Sequence, residues 1–230
     1  MNSTPSTIEY WHTGSECCDR VWEAAYRRFE TPLQELKKFQ KRLSQLGLSA
    51  WDKDLDVVEL FCGQGTGLVA LEKMGFKSIT GVDLSPHLLE QYQGPAKLYV
   101  GDCRDLKFED NSRDVLIVQG GLHHLPVLPT DLEQTLQEMH RVLRQNGRIV
   151  IVEPWITPFL HAVHFLCKNH FLRKIWPKLD ALSVMIEQER STYEQWLSQP
   201  LDILVLLNHY FQPEQQLIGY GKLMYVGRKL

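Results

Sequence analysis

From Asp56 onward the chain alternates short apolar runs with segments of helical spacing, and this rhythm constrains its fold more than any other feature. Strand-like runs lie at 57–61, 77–82, 97–100, 115–118 and 148–152, separated by helical patterns at 67–74, 86–92 and 131–144. Strands that alternate with helices build a parallel sheet covered on both faces. Such a sheet takes ligands in the crevice beyond the carboxyl ends of its strands. Local signals set several boundaries: Gly75 stops the first helix, Ser85-Pro86 opens the second, and Thr130 with Glu133 forms a capping box for the third. Leu132, Leu136, Met139 and Leu143 share one face of that third helix, and Asn146-Gly147 turns into the next strand.

Residues 1–16 read as a polar arm. Trp22, Ala25 and Phe29, then Leu33, Leu36, Phe39, Leu43 and Leu46, repeat at helical intervals. Thr31-Pro32 and Gln34 supply a cap, a proline at the first helical position and the reciprocal capping residue. Two helices ending near Gly47 are therefore expected, with 1–50 an arm and helical cap and 51–230 the main domain. Within the latter, 155–205 reads as a helical insertion, with Ser191 and Glu194 capping its last helix. Residues 206–230 read as a closing strand pair joined by a polar turn around Gln212–Gln216.

At 230 residues and 43% apolar content the chain can bury a core without disulfides or metal. Cys17, Cys18, Cys62, Cys103 and Cys167 are odd in number and include no CxxC pair, which argues against a disulfide framework and a zinc site. No apolar run approaches the ~20 residues that span a bilayer, and no secretory signal is evident, so a cytoplasmic protein is expected. The net charge of −3 gives no global attraction for nucleic acid.

The densest chemical signal is Val57-Val58-Glu59-Leu60-Phe61-Cys62-Gly63-Gln64-Gly65-Thr66-Gly67. An apolar strand runs into three glycines and then directly into a helix, which is a loop built to hold a ligand at a helix N-terminus. Leu68 stands where a dinucleotide fingerprint needs its third glycine. Glu59 would repel a pyrophosphate, but its charge suits a ligand bearing an ammonium and a sulfonium, as S-adenosylmethionine does. Asp83, ending the second strand, is placed to accept both hydrogen bonds of a ribose diol; its structural alternative is a turn or helix cap. Asp102 after Gly101 can accept from an adenine amino group, with Cys103 donating weakly or packing.

The order of these motifs, followed by Leu122-His123-His124-Leu125-Pro126, resembles the class I S-adenosylmethionine-dependent methyltransferases. The pattern is most similar to the group containing ubiquinone, menaquinone and natural-product enzymes, over about residues 55–155. The resemblance implies a doubly wound, mostly parallel seven-stranded sheet with a C-terminal antiparallel hairpin. It also implies S-adenosylmethionine as cofactor and S-adenosylhomocysteine as product. Glu59, Gly63 and Gly65 would hold the methionine end, Asp83 the ribose, and Asp102 with Cys103 the adenine, with Phe61, Leu84 and Gln119 also among the cofactor-binding residues. Two departures stand within the cofactor site: Phe61 replaces the first glycine of the loop, and Gln119-Gly120 follow the fourth strand.

Methyl transfer mainly requires alignment of a nucleophile, and a hydroxyl or protonated amine also needs a base. His124 and His123 are candidates for substrate contact or base, with packing around the pocket as the alternative. Glu153 either meets the substrate or anchors the segment that follows it. On the substrate side, 159–179 carries Phe159, His161, His164, Phe165, His170, Phe171 and Trp176 with Lys168, Arg173, Lys174 and Lys178 and no acid. It reads as a lid over the site, as a peripheral membrane or lipid contact, or as an RNA patch. Its histidines match no metal pattern, and no metal is expected. Tyr10-Trp11 and Trp22 with Tyr26 either close over the cofactor or pack. The expected activity is methyl transfer to an oxygen, nitrogen or activated carbon of a small molecule. The alternatives are a lipid, quinone or RNA substrate, or a methyltransferase-like binding or assembly protein.

Overall fold

A computed structural model of the chain describes residues 7–14 and 20–230. Its eight strands are β1 (Ile8–Tyr10), β2 (Asp56–Leu60), β3 (Ser78–Asp83), β4 (Lys97–Val100), β5 (Arg113–Gln119), β6 (Leu143–Pro154), β7 (Phe211–Gly219) and β8 (Lys222–Lys229). They form one sheet in the order β1-β4-β3-β2-β5-β6-β8-β7. β1 to β6 run parallel, and β8 pairs antiparallel with both β6 and β7. Strand order reverses between β2 and β5, which puts the ligand crevice of such a sheet above their carboxyl ends. The glycine loop and the Gln119–His124 loop emerge at those two ends.

Alternation along the central strands sorts the core into two layers. Val58, Leu60, Leu116, Val118, Ile149 and Ile151 pack on one face with α5 (Thr130–Val142) and α10 (Pro200–Tyr210). Val57, Val115, Ile117, Val150 and Val152 pack on the other with α2 (Pro32–Gln45) and α3 (Thr66–Lys73). α1 (Arg20–Phe29) lies along α8 (Pro177–Gln188). The remaining helices are α4 (Pro86–Leu89), α6 (Pro158–Cys167), α7 (His170–Ile175) and α9 (Arg190–Ser198).

The mostly parallel α/β architecture with a terminal antiparallel hairpin is as expected, and differences lie at its margins. The arm supplies an eighth strand: β1 extends the sheet beside β4, and the Trp11 ring stacks on Tyr99 at 4.3 Å and meets Phe108 edge-on at 4.7 Å. Backbone pairing is indifferent to side-chain polarity, so a polar segment can fill a sheet edge. Thr130 and Ser191 are not caps. Each lies inside its helix, whose preceding residue, Pro129 or Glu189, gives no side-chain cap. Asp131 instead accepts from the Val127 N–H at 2.8 Å. The turn of the terminal hairpin is Tyr220-Gly221, with φ of 49° and 75°, and not the glutamine-rich stretch. Two positive φ values match the twist of a tight hairpin, while Gln212, Gln215 and Gln216 are exposed on the outermost strand. Asn146, at φ 65°, lies within β6 and not between elements.

The Thr31 hydroxyl accepts from the Gln34 N–H, and the Gln34 side chain accepts from the Thr31 N–H, completing the expected box. Thr31→Ala should lower unfolding free energy by about 0.5–2 kcal/mol, measured by urea denaturation. An unchanged midpoint would show that packing alone fixes α2.

Candidate active site at the carboxyl edge of the sheet

Glu59 is 3% exposed on β2 and sits against the first turn of α3, where a Cβ on Gly67 would overlap its carboxylate. Its Oε1 accepts a long 3.4 Å bond from Gln119 Nε2, while its Oε2 and the Gln119 Oε1 are buried without a partner. Burial, with smaller contributions from the Glu35 and Asp83 charges, pushes the Glu59 carboxyl up to about 8. Gly63 and Gly65 have φ of 52° and 82°, which permits the tight reversal ahead of α3.

Asp83 locks this loop to β3: its Oδ2 accepts from Gly63 N–H and its Oδ1 from Ser85 N–H, both at 2.8 Å. Burial raises its pKa against the lowering effect of those backbone bonds. Each oxygen keeps acceptor capacity beyond the bond it makes. Leu84 lies beside the N-terminal segment, whose Gly14 would place a Cβ 3.2 Å from the Leu84 carbonyl. Asp102 is engaged by Arg104 through both guanidinium and backbone, with Nη2 to Oδ2 at 2.7 Å. The Cys103 thiol lies 3.6 Å from the Thr135 hydroxyl in the core, and burial pushes it up to about 12. Cys17 and Cys18 lie outside the described residues.

Phe61 adopts φ 56°, a left-handed conformation that costs a non-glycine residue about 1–2 kcal/mol. Its ring occupies the space where a Cβ on Gly121 would stand. The side chain gained at 61 is therefore accommodated by the side chain missing at 121.

Glu153, 1% exposed at the end of β6, organises the histidine loop. Its Oε1 accepts from the N–H groups of Gly121 and Leu122 at 2.8 Å, and its Oε2 lies 2.7 Å from His123 Nδ1. Burial works against the charged His123 imidazole, but the Glu153 bond and the Glu153 and Glu189 charges outweigh it and raise its pKa. Partial desolvation, and then the His123 charge, hold the His124 pKa below the usual imidazole value. Glu189, at the junction of α8 and α9, accepts from the Trp22 indole N–H at 3.0 Å. Trp22 stacks on Tyr26, meets His124 edge-on, and so brings α1 over this loop. Tyr26 donates to the buried Glu35, which also accepts from Thr66 Oγ1 at 3.0 Å and Gln64 Nε2 at 3.4 Å.

The structure thus gathers Glu59, Phe61, Gly63, Gly65, Asp83 and Gln119 around the glycine loop. It places His123, His124 and Glu153 on the adjoining loop, with Asp102 and Cys103 tied to their own partners. Sequence reasoning missed Glu35 and Glu189. A signal for Glu35 existed, since Glu35, Lys38 and Arg42 form a charged stripe at helical spacing; Glu189 carried none.

Comparison with known proteins agrees with this architecture. A family profile for methyltransferase domains matches residues 58–151. The chain is 33% identical over 180 residues to a demethylmenaquinone methyltransferase of Staphylococcus aureus, covering 72% of this chain and 67% of the relative. It is 33% identical over 150 residues to the ubiquinone/menaquinone biosynthesis C-methyltransferase UbiE of Citrifermentans bemidjiense, covering 60% of this chain but only 59% of that protein's length. A Pyrococcus horikoshii protein of known structure shares the fold, with a TM-score of 0.68 at 21% identity over 93% of this chain and all of its own. The chain belongs to the class I S-adenosylmethionine-dependent methyltransferases, and the cofactor of that family is S-adenosylmethionine. The residues fit that cofactor in one direct respect: the buried, unpartnered carboxylate oxygen of Glu59 flanks the glycine loop, where a cationic ligand would complete it.

Between the ordinary pKa of an unfolded glutamate, about 4.3, and about 8 the folded chain holds a proton on Glu59 that the unfolded chain lacks. Its contribution to stability is therefore full at low pH and declines as pH rises through that window. Glu59→Gln should flatten this decline and raise Tm at pH 8 without ligand, as read by thermal denaturation across pH. The same pH slope in both proteins would show that Glu59 is ionised in the folded apo state.

Proposed function

We propose that this chain transfers the methyl group of S-adenosylmethionine to an oxygen, nitrogen or activated carbon of a small aromatic acceptor. The observation that carries the reading is the Glu59 oxygen, buried without a partner at the switch point of the sheet. A buried carboxyl oxygen without a partner is costly, and a ligand ammonium at this position would pair with it and favour its ionised form. When bound, the cofactor supplies an electrophilic methyl on a sulfonium leaving group. Glu59 and the backbone of Gly63 and Gly65 hold its methionine end, beside Phe61 and Gln119. The remaining lone pairs of Asp83 take the ribose diol beside Leu84. Asp102 and Cys103, bound to Arg104 and Thr135, form the adenine-side wall.

The acceptor meets the loop after β5. Glu153 fixes His123, and half-exposed His124 faces outward beneath Trp22. Trp22 and Tyr193 meet this loop and Tyr26 stacks on Trp22, a lining that suits a planar ring, and the relatives' names place them in quinone biosynthesis. Calorimetric titration with S-adenosylmethionine and S-adenosylhomocysteine tests the cofactor assignment. Both should bind the intact chain, and Asp83→Ala should weaken binding by about 1–3 kcal/mol. Folded protein that binds neither would overturn the reading.

A second observation favours an acceptor drawn from a lipid surface. The 159–179 segment does not turn its aromatic side inward as a lid would: Phe165, Phe171 and Trp176 are 74%, 69% and 54% exposed, with exposed Lys168, Lys174 and Lys178 around them. Aromatics ringed by cations are what an anionic interface attracts. No helix of the described residues is long and apolar enough to cross a membrane, so the contact would be peripheral. The chain should co-sediment with vesicles containing phosphatidylserine more than with phosphatidylcholine alone, and Phe171→Ser with Trp176→Ser should remove the difference. Equal sedimentation of the two proteins would leave this face without a lipid role.

A further inference from the structure

We propose that His123, His124 and Glu189 form a binding site for one divalent transition-metal ion of zinc type. Their ligand atoms all lie within 4.8 Å of one another, and the donors come from two segments distant in sequence. Glu189 Oε2 stands 3.7 Å from His124 Nδ1 and 4.0 Å from His123 Nε2. Those separations are too long for hydrogen bonds. They lie close to the edge of a zinc tetrahedron, about 3.4 Å for ligand bonds of about 2.1 Å, and small side-chain rotations close the difference.

The surrounding bonds are those that metal-binding side chains need. His123 gives Nδ1 to Glu153, which turns Nε2 toward Glu189 and His124. A carboxylate behind a histidine in this way fixes the ring and strengthens it as a ligand. Glu153 is itself held by two backbone N–H groups, and Glu189 by the Trp22 indole. Two imidazoles and one carboxylate suit Zn2+, Co2+ or Fe2+ better than Mg2+ or Ca2+. Three protein ligands leave a position for water or for an acceptor oxygen, and the half-exposed His124 gives a route in. The site adds to the proposed methyl transfer and does not rest on it, because an ion would bind the chain without cofactor or acceptor.

Titration of the chelator-stripped full chain with Zn2+ by calorimetry, and with Co2+ by visible absorption, tests the site. One ion should bind per chain, and the Co2+ spectrum should show a low-symmetry site of low coordination number. Glu189→Gln, which can keep the Trp22 bond, and His124→Ala should each weaken binding by about tenfold or more. Glu153→Gln should weaken it by about 10–100-fold, and His87→Ala, at an exposed position of α4, should leave it unchanged. Cofactor titration of the same variants separates the two proposals, since retained S-adenosylmethionine binding with lost Zn2+ binding is expected. No bound ion in wild type, or equal binding by wild type, Glu189→Gln and His124→Ala, would overturn the metal site.

Discussion

The Glu153 carboxylate, buried at the end of β6, is the contact on which the candidate site turns. It caps the short helical turn Leu122–His124 through two backbone N–H groups and fixes His123 with its other oxygen. A charge in that position is tolerable only because each oxygen is engaged. The loop after β5 is consequently anchored to the neighbouring strand, and both imidazoles inherit their placement from it. His124, one residue further, escapes the bond and stays half-exposed.

The glycine loop on the other side of the switch point carries a different balance. Asp83 pins Gly63 and stabilises the loop, whereas Glu59 is buried with an unpartnered oxygen beside Gln119. One acid is used to build the crevice and the other is left unsatisfied in it. This is the arrangement expected where stability is given up for ligand binding. Phe61 adds backbone strain at the same place, and Gly121 across the crevice makes room for its ring. The two loops are therefore shaped to one another by sterics as well as by charge.

The helices before β2 complete the site and do not merely precede it. α1 reaches the histidine loop through Trp22, and α2 reaches the glycine loop through Glu35. These contacts join opposite sides of the crevice through the Tyr26–Glu35 bond. A shift of either helix would therefore disturb the contacts that frame the crevice.

The repeat of apolar strand and amphipathic helix determined the sheet, its carboxyl-edge crevice and the position of each motif, because hydrophobic period and turn chemistry are local properties. Glu59, Asp83 and the histidine pair were legible for the same reason: each lies at the carboxyl end of a strand or in the loop that leaves it. What β1 does was not legible, since edge pairing leaves no apolar pattern, and neither was the hairpin turn, which depends on φ values and not on polarity. Tertiary structure alone decided that Glu153 serves His123, that Gly121 answers Phe61, and that Glu189 stands beside both histidines. The first two pairs are separated by 30 or more residues and meet because β2, β5 and β6 lie side by side, whereas Glu189 reaches the histidines from the junction of α8 and α9. A one-dimensional pattern records which face a residue takes; the strand order supplies its partner.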